Sequence, residues 1–236
     1  SYASLTNVEL FDGSSWTETT DMSNDRQSHG SSGTQTAALM FAGQDYPPPS
    51  AFLANTESWN GSAWTELNDL NTAHMSVGGW GAVNTAAMCV GGGPPAAFGL
   101  LNEVWDGTSW TESAELSTAR SNPGGGGTTT NSITFGGSIS PGPVTANTEY
   151  WDGSSWTEVG DMVTARNNMG PVGNVTSCIA GGGYVAPGQT THVEEWSNGP
   201  ASFKPISEGQ VYYNSSSTNA FKVTARDLPG GTWASA

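Results

Sequence analysis

Carboxylates are the most abundant groups in this chain that could do chemistry: 21 Asp and Glu stand against six Lys and Arg. Two carboxylates do acid–base work when different environments push their pKa values apart. Here the acids recur in register. Glu9, Glu57, Glu103, Glu149 and Glu194 form one series, and Glu18, Glu66, Glu112 and Glu158 a second. Asp21, Asp69, Glu115 and Asp161 make a third. With Asp12, Asp106 and Asp152 these account for 16 of the 21 acids. Copies of one environment are expected to build scaffold, and no catalytic residue is assigned. The acids outside the register are Asp25, Asp45, Glu195, Glu208 and Asp227, in dispersed segments.

The cations are patterned too. Arg26, Arg120 and Arg166 share one repeat position, with His74 in the remaining slot, each five residues after an acid of the third series. One use is an ion pair or carbonyl clamp that sets the spacing of repeats, for which the planar guanidinium fork is suited. The other is a ring of cations reading an anionic sugar. His29, His74 and His192 have no ligand-like spacing, so no metal or cofactor is expected. Cys89 and Cys178 fall on equivalent strands of non-neighbouring units, and buried free thiols are expected. A net charge of −15 disfavours nucleic acid as a partner. No apolar run approaches the roughly 20 residues of a membrane-spanning helix, so no membrane insertion is expected.

The elements that must position these groups follow from a repeat. Trp16, Trp64, Trp110 and Trp156 recur with a period in the forties, as do Phe11, Trp59, Trp105, Trp151 and Trp196. That period is a propeller-blade length. Each unit divides into four short strands, A to D from the axis outward. In the third unit, A lies near 76–83, B over 85–91, C over 102–105 and D over 109–112. Asp12-Gly13, Asn60-Gly61, Asp106-Gly107 and Asp152-Gly153 supply tight C–D turns. Glycines in register on strand A (Gly30, Gly78, Gly124, Gly170 and Gly33, Gly81, Gly127, Gly173) suit crowded inner strands. Tryptophans on the outer strands fill the wide part of the wedge.

What breaks the repeat points to binding. The B–C loops differ in length and are rich in Pro and apolar residues. They carry Tyr46 with Pro47, Pro48, Pro49 and Phe52, then Pro94, Pro95 and Phe98, then Pro141 and Pro143, and finally Tyr184 and Pro187. Alternating strand direction places all B–C and D–A loops on one face, a common way to build a binding surface. Trp80 stands on an inner strand where other units have small residues, either plugging the axial channel or stacking on a sugar.

A Gly-Gly after the second strand, then an aromatic and a Trp flanking the outer turn, resemble kelch repeats over about residues 5–199. The resemblance implies an all-β, kelch-like β-propeller of four-stranded blades: five blades, or a segment of a larger propeller. The galactose-oxidase type of kelch-like enzyme holds copper with Tyr and His ligands, a set that three histidines do not assemble. The blocks 33–38 and 152–158 are similar to kelch-type repeats in fibre or appendage proteins of tailed, especially marine, bacteriophages. That similarity implies a virion or extracellular location.

Residues 1–199 are thus expected to form the propeller and 200–236 a C-terminal hairpin segment. Residues 210–214 and 220–225 read as a hairpin, which either completes the first blade by supplying its A and B strands or leads into further sequence. Gly231-Thr232-Trp233 resembles another D strand. The expected function is a non-enzymatic binding and structural module, with a host-surface glycan or a neighbouring virion protein as partner and homo-oligomerisation open. Trp80, Tyr46, Phe52, Phe98 and Tyr184 are the candidate anchors, with Arg26, His74, Arg120 and Arg166 behind them. A glycan-active enzyme on the same scaffold, or a cellular kelch adaptor, are the alternatives.

Overall fold

The computed structural model describes residues 4–46, 51–93, 95–139 and 142–197, and the strands at 211–214, 220–223 and 232–235. It is a β-propeller. Blade I is the two-stranded sheet of β1 (Glu9–Phe11) and β2 (Trp16–Glu18). Blade II runs β3 (Gly30–Thr34), β4 (Ala37–Phe41), β5 (Thr56–Trp59), β6 (Trp64–Glu66). Blade III runs β7 (Gly78–Val83), β8 (Ala86–Val90), β9 (Asn102–Trp105), β10 (Trp110–Glu112). Blade IV is β11 (Gly124–Thr128), β12 (Asn131–Phe135), β13 (Thr148–Trp151), β14 (Trp156–Glu158).

Blade V orders β15 (Gly170–Asn174), β16 (Ser177–Gly181), β19 (Val193–Ser197) and β22 (Thr232–Ser235). A small hairpin, β17 (Tyr184–Val185) with β18 (Gly188–Gln189), sits in its B–C loop. The outer strand of blade V therefore comes from the end of the sequence: Trp233 lies opposite Trp196, the register that sets Trp64 opposite Trp59 and Trp156 opposite Trp151. Strands β20 (Val211–Asn214) and β21 (Ala220–Val223) pair with each other in a separate sheet.

Inner strands pack side by side in the order β3, β7, β11, β15, and no comparable packing joins β15 back to β3. The approach is close. A Cβ on Gly79 would lie 2.4 Å from the Ser31 nitrogen of the neighbouring inner strand. At the turn out of β11, Gly127 takes a φ of 128°, where a side chain would be strained.

The outer tryptophans wedge the blades apart. Trp59, Trp105, Trp151 and Trp196 are buried, and each indole N–H donates to an A–B turn carbonyl of its own blade, those of Gln35, Asn84, Thr129 and Val175. Each of the first three also tilts against the Trp across the C–D turn, with ring centroids 5.2–5.4 Å apart. The turns themselves are capped by side chains: one oxygen of Asp12, Asn60, Asp106 or Asp152 accepts backbone N–H groups two and three residues on. Among the described residues no helix is long and apolar enough to cross a membrane.

Candidate functional site

The patterned cations are interior. Arg26, Arg120 and Arg166 are buried and ion-paired with Glu57 (2.8 Å), Glu149 (2.6 Å) and Glu194 (3.3 Å). The partner is thus an acid of the first series, some thirty residues on, and not the acid five residues before, because strand C of the same blade comes up against the D–A connection. The other nitrogens act as a carbonyl clamp. Arg120 Nη1 donates to Gly136 O and Asn147 O, and Arg26 Nη1 to Ala42 O and Asn55 O. Each glutamate also accepts two backbone N–H groups of that connection, such as Ser117 and Thr118 on Glu149. Burial works against all three guanidinium charges, lowering their pKa values, while the facing carboxylate opposes that shift. Burial likewise pushes Glu57 up, but the Ser23 N–H, the Arg26 charge and Asn24 outweigh it and hold Glu57 below its ordinary value.

Blade III departs from this plan. His74 replaces the arginine, fully buried, with Nε2 3.4 Å from Cys89 Sγ and its ring edge-on to Phe98. Glu103 keeps its bonds from Asn71 and Thr72 but has no arginine facing it, and burial raises its pKa. Burial also lowers His74 to about 4 and pushes Cys89 well up.

Above pH 6.5 the His74 imidazole is neutral whether folded or not. As pH falls from 6.5 towards 4, the unfolded chain takes up a proton that the folded one excludes, and stability is lost across that window. At 1.36 kcal/mol per pKa unit, the loss between pH 7 and pH 4.5 should be about 2–3 kcal/mol smaller in His74→Gln than in the parent, as read by urea denaturation at the two pH values.

Trp80 is 8% exposed and lies between blades III and IV. Its ring covers Gly125, where an added Cβ would sit 2.4 Å from it, and it packs with Met88, Val90, Leu116 and Trp151. The indole therefore fills the space between inner strands, and the face needed for stacking on a sugar is covered. Phe98, in a 3-10 turn (Ala96–Leu100), is half-buried on His74.

The loop face gathers the remaining candidates. Tyr184, on β17, is 39% exposed, and Tyr46 and Phe52 are half-buried, as Phe98 is. These loops are stapled at their bases by backbone bridges: Gln44 to both Gln27 and Phe52, Ser138 to both Ser121 and Val144, and Tyr184 to Asn167. Positions 47–50, 94, 140 and 141, with their prolines, lie outside the described residues.

One feature at the centre of this face was not anticipated. Ser28, Ser76, Asn122 and Asn168 hold φ values of 50–60°, rare for residues other than glycine. Each of the last three donates its backbone N–H to the carbonyl of the one before, at 2.8, 2.6 and 3.3 Å, so the bonds step round the axis. Strained backbone of this kind persists only where its surroundings over-determine it. The sequence signal was available, a Ser or Asn two residues after each Arg or His of the cation series. Beside Asn168 a cavity of about 280 Å³ is lined by Gly183, Tyr184, Gln189 and Thr190.

Of the acids outside the register, Asp25 accepts the Ser4 hydroxyl and Asp45 accepts the Ala51 N–H, while Glu195 is exposed on β19. Glu208 and Asp227 lie outside the described residues. Cys89 and Cys178 are buried free thiols, the latter pushed up to about 12 by burial. Among the described residues no cluster of three His, Cys, Asp or Glu could hold a metal ion.

No protein-family model and no curated protein matches the chain. Among solved structures it is similar to that of YjhT, with a TM-score of 0.66 over 84% of this chain and 82% of that one. At 12% identity the likeness is one of fold, and it agrees with the blade arrangement built above.

Proposed function

We propose that this propeller, of kelch type, is a non-enzymatic binding and structural module of a bacteriophage fibre or other extracellular appendage. Its loop face would meet a host-surface glycan or a neighbouring virion protein. The observation that carries this reading is a division of labour. The arginines and their glutamate partners hold the D–A connections and the turn Asp and Asn cap their loops, while Tyr184 is 39% exposed and Tyr46 and Phe52 are half-buried on stapled loops beside the axial ladder. Aromatic side chains fixed on a rigid frame bind with little ordering cost. The strong negative charge would keep such a polar surface from self-association.

The test is a glycan array on the purified protein, beside Tyr184→Ala and Phe52→Ala. A glycan hit that weakens at least tenfold in both variants, with unchanged thermal unfolding, is the expected result. Saturable cleavage of a surface polysaccharide would replace this reading with the enzymatic one. Binding indifferent to both substitutions would move the site off the loop face.

A further inference from the structure

Blade I has its outer strands and no described inner ones, and the surfaces around that vacancy are those that blades elsewhere cover. On blade V, Ile179 is 43% exposed, while Leu39, Met88 and Ile133 at the same position are fully buried. Val172, equivalent to Trp80, is 73% exposed. On the opposite wall, Ala38 and Met40 of blade II are only half-buried where Ser132 and Thr134 of blade IV are fully so. Phe11 of blade I is 43% exposed, against buried Trp59, Trp105 and Trp151. The axial ladder stops at the same place: it runs from Ser28 to Asn168, and among the described residues no bond returns from Asn168 to Ser28. Two inner strands are needed to fill this slot, one pairing with the free edge of β1 and one lying at the axis between β15 and β3.

The chain contains an element of that size. Strands β20 and β21 form a hairpin of two four-residue strands that, among the described residues, pair only with each other. Such a ribbon is marginal in water unless something covers it. Its register sets Val211 opposite Val223 and Tyr213 opposite Phe221, a sequence rich in apolar residues. Charge agrees: residues 200–236 hold three of the six cations and two of the 21 acids, while the slot is bordered by Glu9 and Glu195.

Reach agrees as well. The hairpin lies between β19 and β22, and its shorter tether is the eight residues 224–231. Those span up to roughly 26 Å at about 3.3 Å each. The slot lies one sheet across and one or two strands inward, roughly 15–20 Å away at sheet and strand spacings of about 10 and 4.8 Å.

We infer that β20–β21 inserts beside β1 as the inner half of blade I and closes the ring, whatever the loop face binds. Hydrogen exchange on the whole protein tests this. Amides of Glu9–Phe11, of Gly170 and Val172–Asn174, and of both hairpin strands should be protected together. Val211→Asp with Phe221→Asp should speed exchange at all of them at least a hundredfold, leaving Ile133 and Phe135 of blade IV protected. Ile179→Glu, which alters the wall and not the hairpin, should do the same. Free exchange of these amides in the parent, or protection of β1 and β15 that survives both variants, would overturn the inference. Protection that grows with protein concentration alongside a dimer in sedimentation would overturn it too, because a second chain would then fill the slot.

Discussion

Arg120→Ala should lower the stability of the protein by about 3–5 kcal/mol, the cost of stripping one partner from a buried ion pair. In a domain of this size that is a fall of roughly 10 °C in Tm, measurable by calorimetry, with urea denaturation giving the free energy. The cost arises because Glu149 would stay buried with only the Ser117 and Thr118 N–H groups on it, and the carbonyls of Gly136 and Asn147 would lose their donor. Removing both partners should hurt less: Arg120→Met with Glu149→Leu is expected to recover part of the loss, because the desolvation of two charges disappears with the pair while the backbone groups they served stay unpaired. A double variant as unstable as the single would mean that the carbonyl clamp, and not the ion pair, holds the connection in place. Blade III shows that the clamp is dispensable at one position, since Glu103 is buried there without an arginine.

Trp80→Ala should cost a similar amount, about 3–5 kcal/mol, through the cavity left between two inner strands. The ring sits in space made by Gly125 and Gly78, so the neighbours cannot collapse onto a methyl group without moving backbone. Gly125→Ala attacks the same contact from the other side and should destabilise through the clash with the ring. Both variants should leave the affinity of the folded fraction for any loop-face ligand within about twofold. Loss of binding in Trp80→Ala at undiminished stability would return this residue to the ligand site.

Spacing alone located the blades, because each repeated residue answers to something inside its own unit: the indole to its A–B turn, the turn Asp or Asn to its own loop. Strand C of the third unit is found at the expected Asn102–Trp105, and strand B is trimmed to Ala86–Val90. Contacts between segments distant in sequence are harder to see. In sequence the acid of the third series near Arg26 is Asp21, five residues before it, whereas the fold brings Arg26 to Glu57, and no local pattern distinguishes one repeated acid from another. Trp80 looked available because its equivalents are small, but the same smallness in the next blade, at Gly125, is what lets it turn inward. The outer strand of blade V is supplied from beyond an intervening hairpin, and it was readable only as a Trp at the right distance from a Gly-Thr.

The staples at the bases of the loops carry a consequence of their own. Gln44 is pinned to Gln27 and Phe52, and Ser138 to Ser121 and Val144, so entry and exit of each excursion are fixed by main chain whatever side chains lie beyond. A new address can be written there by lengthening, shortening or replacing a tip wholesale, with the frame indifferent to the edit.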